Sequence, residues 1–425
     1  MTYEEFFEKA KSKQITNVQI TEKDIISSSA EIINGELESF DSYHNIAYQI
    51  KAEYQGKTVE IATNYLADDI IDLIIEKATT TDTTYEDEYL ENREPIKKHS
   101  LEECDISKEI QQLKELDQIR EKYATVSKLN TYLDESTVNT RIINSNSVDI
   151  STTSHLCQFD VEVIVENKGD ITSFSQRVLK VKKEEIDFKQ IIKDTIEKAI
   201  LQSTKEKIET KKYNIVLDSN VASRILGNMV GMLSATAVRK KISCLEKKKG
   251  QKIFNEKLTI IEDPTNEEYP GYRLFDDEGT LTKKKIVVEN GTLKTFFYNV
   301  KEAKIKKRKS TGNGYQGIGT KNMYIIPGEK SIEQLLKEMK DGIYITDYMG
   351  ASGSSMNAVN GNISFQVFGF LVKDGQLVSG IEPAIMTTTI FELWSNIEEI
   401  GNDLQFIMTS AASPSIQIKD ISIAR

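Results

Sequence analysis

The 425 residues, 39% of them hydrophobic and only 6 of them proline, suffice for two or three domains with separate cores and exclude a mainly disordered chain. A formal net charge of -11 leaves no overall field to attract nucleic acid or an anionic membrane. No apolar run approaches the ~18 residues of a bilayer span, and three cysteines without CxxC spacing suit a reducing compartment, so a soluble, cytoplasmic protein is expected.

At the start, Thr2 and Glu5 form a capping box for a helix through about Lys11. This acidic opening does not read as a leader with a basic n-region. A strand over Val18-Gln19-Ile20 follows, then alternating segments punctuated by Asn34-Gly35 and Gln55-Gly56, the dipeptides of tight hairpins. Ile46, Tyr48, Ile50 and Ala52 alternate with polar positions, as a half-buried strand requires. Ile70, Ile71, Ile74, Ile75 and Ala78 fall on one helical face, and residues 79–100, rich in Thr and Glu, read as a connection. The order then recurs: a helix over roughly 107–128, strands around 139–165 and 171–182 with a turn at Asn167-Lys168-Gly169, and a helix over about 187–207. Two similar α+β units are expected, over 1–105 and 106–210.

The texture changes near Tyr213. Asn214-Ile215-Val216-Leu217 reads as a short buried strand, followed by a helix from about Asn220 to Lys240. Val221, Ala222, Ile225, Leu226, Met229, Val230 and Leu233 form its apolar stripe. Gly227 and Gly231 weaken it by about 1 kcal/mol each relative to alanine, which points to close approach by another backbone, within the fold or from a bound peptide. Beyond it strand signals dominate, with turns at Asn290-Gly291, Asn360-Gly361 and Asp374-Gly375 and helices over about 331–340 and 387–399. The fold class is therefore α+β, with two mixed N-terminal units ahead of a β-rich domain over 211–425.

Candidate chemistry is sparse. His44, His99 and His155 are the only histidines, and His155 with Cys157 would share one face of a strand. A catalytic zinc needs a third ligand that neither supplies, so an ordinary packing pair is expected there. No GxSxG elbow occurs, and Gly312-Asn313-Gly314 and Gly317-Ile318-Gly319 lack the Lys-Ser/Thr helix start of a phosphate loop. Asp276, Asp277 and Glu278 stand in a turn-rich stretch beside Gly279 and read as structural. The basic runs Lys247-Lys248-Lys249, Lys283-Lys284-Lys285 and Lys304 to Lys309 read as solvated faces.

Phe275-Asp276-Asp277-Glu278-Gly279, Glu289 to Lys294, Ser310-Thr311-Gly312-Asn313-Gly314, Asn322 to Gly328, Asp341-Gly342-Ile343-Tyr344 and Gly401-Asn402-Asp403-Leu404, taken in that order, resemble the signature of the TldD/PmbA proteins, also called modulators of DNA gyrase. Asn34-Gly35-Glu36-Leu37-Glu38-Ser39 resembles the family's N-terminal strand pair. The resemblance implies a β-rich C-terminal domain and a cytoplasmic metallopeptidase acting on unfolded peptides. TldD-type members carry HExxxH on the helix after the central strand and a cysteine after the GND segment. Here the histidine places hold Gly227 and Met232, the glutamate place holds Asn228, and residues 404–425 contain no cysteine. That pattern matches the PmbA (TldE-like) branch and implies a chain that binds no cofactor itself. Zinc is expected only in a TldD-type catalytic partner, in a heterodimer, with a homodimer as the other association. Thr311 to Tyr315 and Gly350 to Ser355, including Gly353, are expected to line a peptide channel because small residues permit close approach. The alternative is a self-associating protein that binds peptides or another ligand and has no protease partner.

Overall fold

The capping box forms as expected: Thr2 Oγ1 accepts from the Glu5 N–H, Glu5 accepts from the Thr2 N–H, and α1 (Tyr3–Ser12) begins. The computed structural model describes residues 1–83, 101–350 and 356–425. In it β1 (Thr16–Ile33), β2 (Glu36–Tyr54) and β3 (Lys57–Thr63) make an antiparallel meander closed by α2 (Asp68–Thr80). Both hairpins turn where the sequence placed them, with Asn34, Gly35, Gln55 and Gly56 at the positive φ of tight primed turns.

The second unit repeats the order: α3 (Ser107–Leu116), β4 (Val126–Asn144), β5 (Asp149–Asn167), β6 (Asp170–Lys180) and α4 (Phe188–Gln202). Three boundaries differ from expectation. The helix expected to reach 128 ends at Leu116, because a 3-10 turn over Asp117–Lys122 delivers the chain into β4. The stretch 139–165 holds two strands, since Asn144 Oδ1 accepts from the Asn146 and Val148 N–H groups and turns the chain there. The final helix stops at Gln202. Most of the connection expected over 79–100, His99 included, lies outside the described residues.

The units meet through their first strands. β1 pairs antiparallel with β4 from Gln19↔Asn144 to Ile33↔Asn130, so the order β3-β2-β1-β4-β5-β6 is nearly symmetric about that pair. Phe6, Ile20, Ile50, Ile61, Ile70 and Ile74 form one core beneath α1 and α2. Leu133, Phe159, Val163, Ile192 and Ile196 form the other beneath α3 and α4.

The rest of the chain is strand-rich. Gly342–Met349, Lys211–Leu217, Ile416–Ala424, Ala384–Thr389 and Asn362–Lys373 pair in that order, and the last pairs again with the first to close a five-stranded ring. The short strands Gln405–Phe406, Ala411–Ser413, Met323–Ile325, Ile260–Glu262 and Lys285–Glu289 continue the N-terminal sheet past β6. The junction is a single residue pair, Phe406↔Leu179. α5 (Ser219–Leu233) packs between these layers, its apolar stripe buried against Ile215, Leu217, Ile345, Trp394 and Ile416. The helix expected to reach Lys240 breaks at Ser234, and the Ala235 N–H turns to the Phe297 carbonyl. The helix expected over 387–399 covers only Ile390–Ser395.

Candidate functional site

α5 starts at Asp218, whose side chain accepts the Asn220 N–H at 2.9 Å and the Tyr344 hydroxyl. Burial pushes the Asp218 carboxyl above its ordinary range. Ser223 fastens the helix to the C-terminal tail: its Oγ donates to the Ser219 carbonyl at 2.6 Å and accepts the Ser413 N–H at 2.7 Å. The outward face carries Arg224, Asn228 and Gly231, with Gly227 half-buried at its border. Arg224 pairs with Asp347, donates to the Tyr348 carbonyl at 2.8 Å and lies 4.0 Å over the Tyr348 ring. Asn228 Nδ2 donates to the Tyr348 hydroxyl at 3.1 Å, and Tyr348 stacks on Phe365 at 4.1 Å.

The three positions laid on the HExxxH motif do not share a face. A Cβ built on Gly227 would lie 3.5 Å from Met408 Sδ and 3.7 Å from Ala411 Cβ, so the tail after the GND segment runs directly over this residue. Asn228 is exposed, whereas Met232 is buried with its sulfur 3.7 Å from Cys244 Sγ. The close backbone approach expected at the helix glycines is absent. Gly227 makes ordinary side-chain contacts, and a Cβ on Gly231 meets no atom within 4 Å, leaving that face open. Zinc takes imidazole, thiolate or carboxylate donors, and these positions with Met408 and Ala411 offer an amide and two thioethers. Among the described residues no group of three or more His, Cys, Asp or Glu side chains is placed to hold a metal. This donor set does not fit zinc.

The expected channel residues are placed differently from one another. Thr311, Gly312, Asn313 and Gly314 are buried. A Cβ on Gly312, at φ +72°, would meet the Leu281 carbonyl oxygen at 2.8 Å, and one on Gly314 would meet Glu278 Oε2 at 2.3 Å. The room their small side chains leave is filled by the chain itself, not by a channel. Gly312→Val should therefore destabilise the fold by at least about 2 kcal/mol, through a β-branched residue at positive φ and a backbone clash. Thermal unfolding of the purified variant checks this. Tyr315 is half-buried with its hydroxyl unpartnered among the described residues, Gly350 is exposed, and Gly353 lies outside the described residues.

Other signature residues act as struts. Asp276 is fully buried and accepts the N–H groups of Glu278, Thr280 and Gly314. Burial, reinforced by the Glu278 carboxylate, pushes its carboxyl up to about 7. Asn322 Oδ1 accepts the Gly271 N–H at 2.8 Å, and Asp403 accepts the N–H and hydroxyl of Ser415. Asn313 Nδ2 donates at 2.8 Å to Glu262, whose carboxylate also pairs with Lys285. The Lys283-Lys284-Lys285 run is thus not a solvated face throughout: Lys285 is buried on Glu262, and Lys284 reaches Asp263. Its place at the start of the apolar Ile286-Val287-Val288 strand was the available signal.

His155 and Cys157 fall on β5, with His155 Nδ1 3.1 Å from Thr137 Oγ1 and Cys157 buried, its thiol pushed up by desolvation. His155 lines a cavity of about 690 Å³ together with Lys180, Tyr269, Tyr272 and Phe406. His44 is exposed and pairs with Asp24 at 2.6 Å. No helix among the described residues is long and apolar enough to cross a membrane.

Comparison with known proteins bears on this arrangement. The family model described as PmbA/TldA metallopeptidase C-terminal domain matches residues 210–425, and that described as the central domain matches residues 99–202. Over 210 residues, 49% of this chain and 46% of the relative, the sequence is 30% identical to a metalloprotease PmbA homolog of Buchnera aphidicola subsp. Acyrthosiphon pisum. The chain spans about half the length of the curated relatives it matches. A crystal structure of a candidate modulator of a DNA gyrase from Thermotoga maritima superposes with TM-score 0.86 at 26% identity, covering 100% of both chains. That of TldE from Thermococcus kodakarensis superposes with TM-score 0.85 over 99% of both chains, and at 19% identity it shows a shared fold alone.

Proposed function

Since the chain belongs to the PmbA/TldD metallopeptidase family, we propose that it is the non-catalytic, metal-free subunit of a TldD/TldE-like cytoplasmic peptidase complex acting on unfolded peptides. One observation carries this reading: where the family's metal helix meets the tail, the chain presents Gly227, Asn228, Met408 and Ala411, with Met232 turned into the core. A TldD-type partner would supply the zinc and the activation of water. This chain's own part is to hold a wall. The Arg224–Asp347–Tyr348 cluster fixes the outward face of α5, and the amide of Asn228 with the open surface at Gly231 leaves room for an extended peptide.

Co-expression with an HExxxH-bearing relative from the same genome tests the proposal. The two chains should co-purify, and only the pair should cleave an unfolded peptide in a chelator-sensitive way. Chelator-sensitive cleavage by this chain alone would overturn the reading. Peptide binding without any association with such a relative would favour a stand-alone binding protein instead.

A further inference from the structure

Lys321 lies two residues before the strand Met323–Ile325, where the main chain is fixed on both sides. Its N–H donates to Glu262 at 3.2 Å, and the Asn322 N–H that follows donates to the Thr409 carbonyl at 2.9 Å. The side chain is mostly buried, yet its ammonium makes no ion pair among the described residues. Nζ donates instead to the Thr409 hydroxyl at 3.0 Å. Glu262 is no counter-ion for it, because that carboxylate is paired with Lys285. An ammonium withdrawn from water is ordinarily held against a carboxylate, as Lys285 is. Lys321 has only a neutral hydroxyl.

The neighbouring charges are mostly of its own sign. Arg273 is largely buried and pairs with Asp277 at 2.9 Å. From the N-terminal sheet, Gln19 of β1 donates to the Asp277 carbonyl at 3.1 Å, and the exposed Lys23 shares the Gln19 face of that strand. Burial pushes the Lys321 ammonium down to about 8; Arg273 adds to the shift, Asp277 opposes it and Lys23 adds again. Three cations thus gather around the Asp277 carboxylate, which Arg273 already takes. A further donor is left over beside them: the Tyr315 ring lies 5.9 Å from the Arg273 guanidinium, and its hydroxyl is buried without a partner among the described residues. What this place lacks is an anion.

The tail ties this place to α5. Thr409, which holds the ammonium, follows Met408, whose Sδ lies 3.5 Å from the Cβ position of Gly227. An extended peptide lying along the outward face of α5 therefore passes within a few residues of Lys321. We propose, resting on the peptide-binding role given above, that Lys321 Nζ, with Thr409 Oγ1 and the Arg273 guanidinium beside it, binds a carboxylate of that peptide. The carboxylate belongs either to the C-terminus or to an acidic side chain, and both present the same two oxygens. Lys321 and Thr409 keep part of their surface open, so a carboxylate can reach them without unfolding the tail. A charge-assisted contact in a partly desolvated place is strong enough to decide which peptides are held. Main-chain pairing along a wall is tolerant of sequence, whereas this contact selects by charge.

Calorimetric titration of the purified full chain with four N-acetylated, alanine-rich peptides tests this: one with a free C-terminus, one amidated, and two amidated with an internal Asp or Asn. The wild type should bind at least one carboxylate-bearing peptide about tenfold or more tightly than its neutral counterpart. Preference for the free C-terminus identifies the terminal carboxylate, and preference for Asp over Asn identifies the side chain. Lys321→Met should abolish the preference and leave the affinity for the amidated peptide within about twofold, while Lys321→Arg should keep it. Neither variant should lose thermal stability, because the ammonium has no ionic partner to strand, and circular dichroism checks that both are folded. Equal binding of charged and neutral peptides by the wild type would overturn the proposal, as would a preference that survives in Lys321→Met. If none of the four peptides binds, the peptide-binding role itself falls and this contact with it. Failure to associate with an HExxxH-bearing relative, by contrast, leaves the charge preference to be read on this chain alone.

Discussion

Glu262→Ala is expected to destabilise the fold by about 3–5 kcal/mol, the range found when one member of a buried ion pair is removed. Glu262 is fully buried and Lys285 nearly so, and their pair is the most enclosed ionic contact among the described residues. The same carboxylate accepts Asn313 Nδ2 at 2.8 Å and the Lys321 N–H at 3.2 Å. Truncation therefore strands an ammonium group and two further donors away from water at once. Glu262→Ala combined with Lys285→Met should recover part of the loss, because no buried charge is then left unpaired. Chemical denaturation of the two variants reads this directly. Equal stability of the single and double variants would show that the Lys285 charge is not what makes the first substitution costly.

Asp276→Ala is expected to cost about 3 kcal/mol or more, since three backbone N–H groups lose their acceptor, each at roughly 1–3 kcal/mol. The group also has a pH signature. Its folded pKa of about 7 lies above the ordinary value of 3.8, so the folded state holds this proton more tightly than the unfolded chain does. Its contribution is then fully present below about pH 4 and is lost as pH rises through about 7. Wild-type stability should carry this downward component between those limits, and Asp276→Asn should remove it. Denaturation midpoints at pH 5 and pH 8 for both proteins check the sign; a wild-type to Asp276→Asn difference that does not change between them would refute it.

The parts of the fold legible in the sequence are those fixed within a few residues. Asn34-Gly35, Gln55-Gly56, Lys168-Gly169, Asn290-Gly291 and Asp374-Gly375 all turn where they stand, because the backbone conformation of a primed turn selects those residues directly. The Thr2/Glu5 box and the repeated order of helices and strands were visible for the same reason. The pairing of β1 with β4 was not, since strands about a hundred residues apart carry no local mark of their contact. The same holds for the site. The absence of donors at Gly227, Asn228 and Met232 could be read from residue types, but that Met232 faces Cys244 depends on how α5 is rotated against a ring assembled from distant strands. Thr311 to Gly314 are ambiguous in sequence because small residues look alike whether the space beside them belongs to a ligand or to the chain's own Leu281 and Glu278.

The antiparallel joint between β1 and β4 also bears on synthesis. As the chain leaves the ribosome, α1 to α2 can form their own small core, yet β1 keeps one flank unsatisfied until residues 126–144 have emerged. During that interval the nascent chain shows the unpaired flank of β1, and premature association with a neighbouring copy competes with folding. Folding of the first unit is therefore expected to lag its own synthesis, since its inner strand closes only against residues about a hundred positions further along.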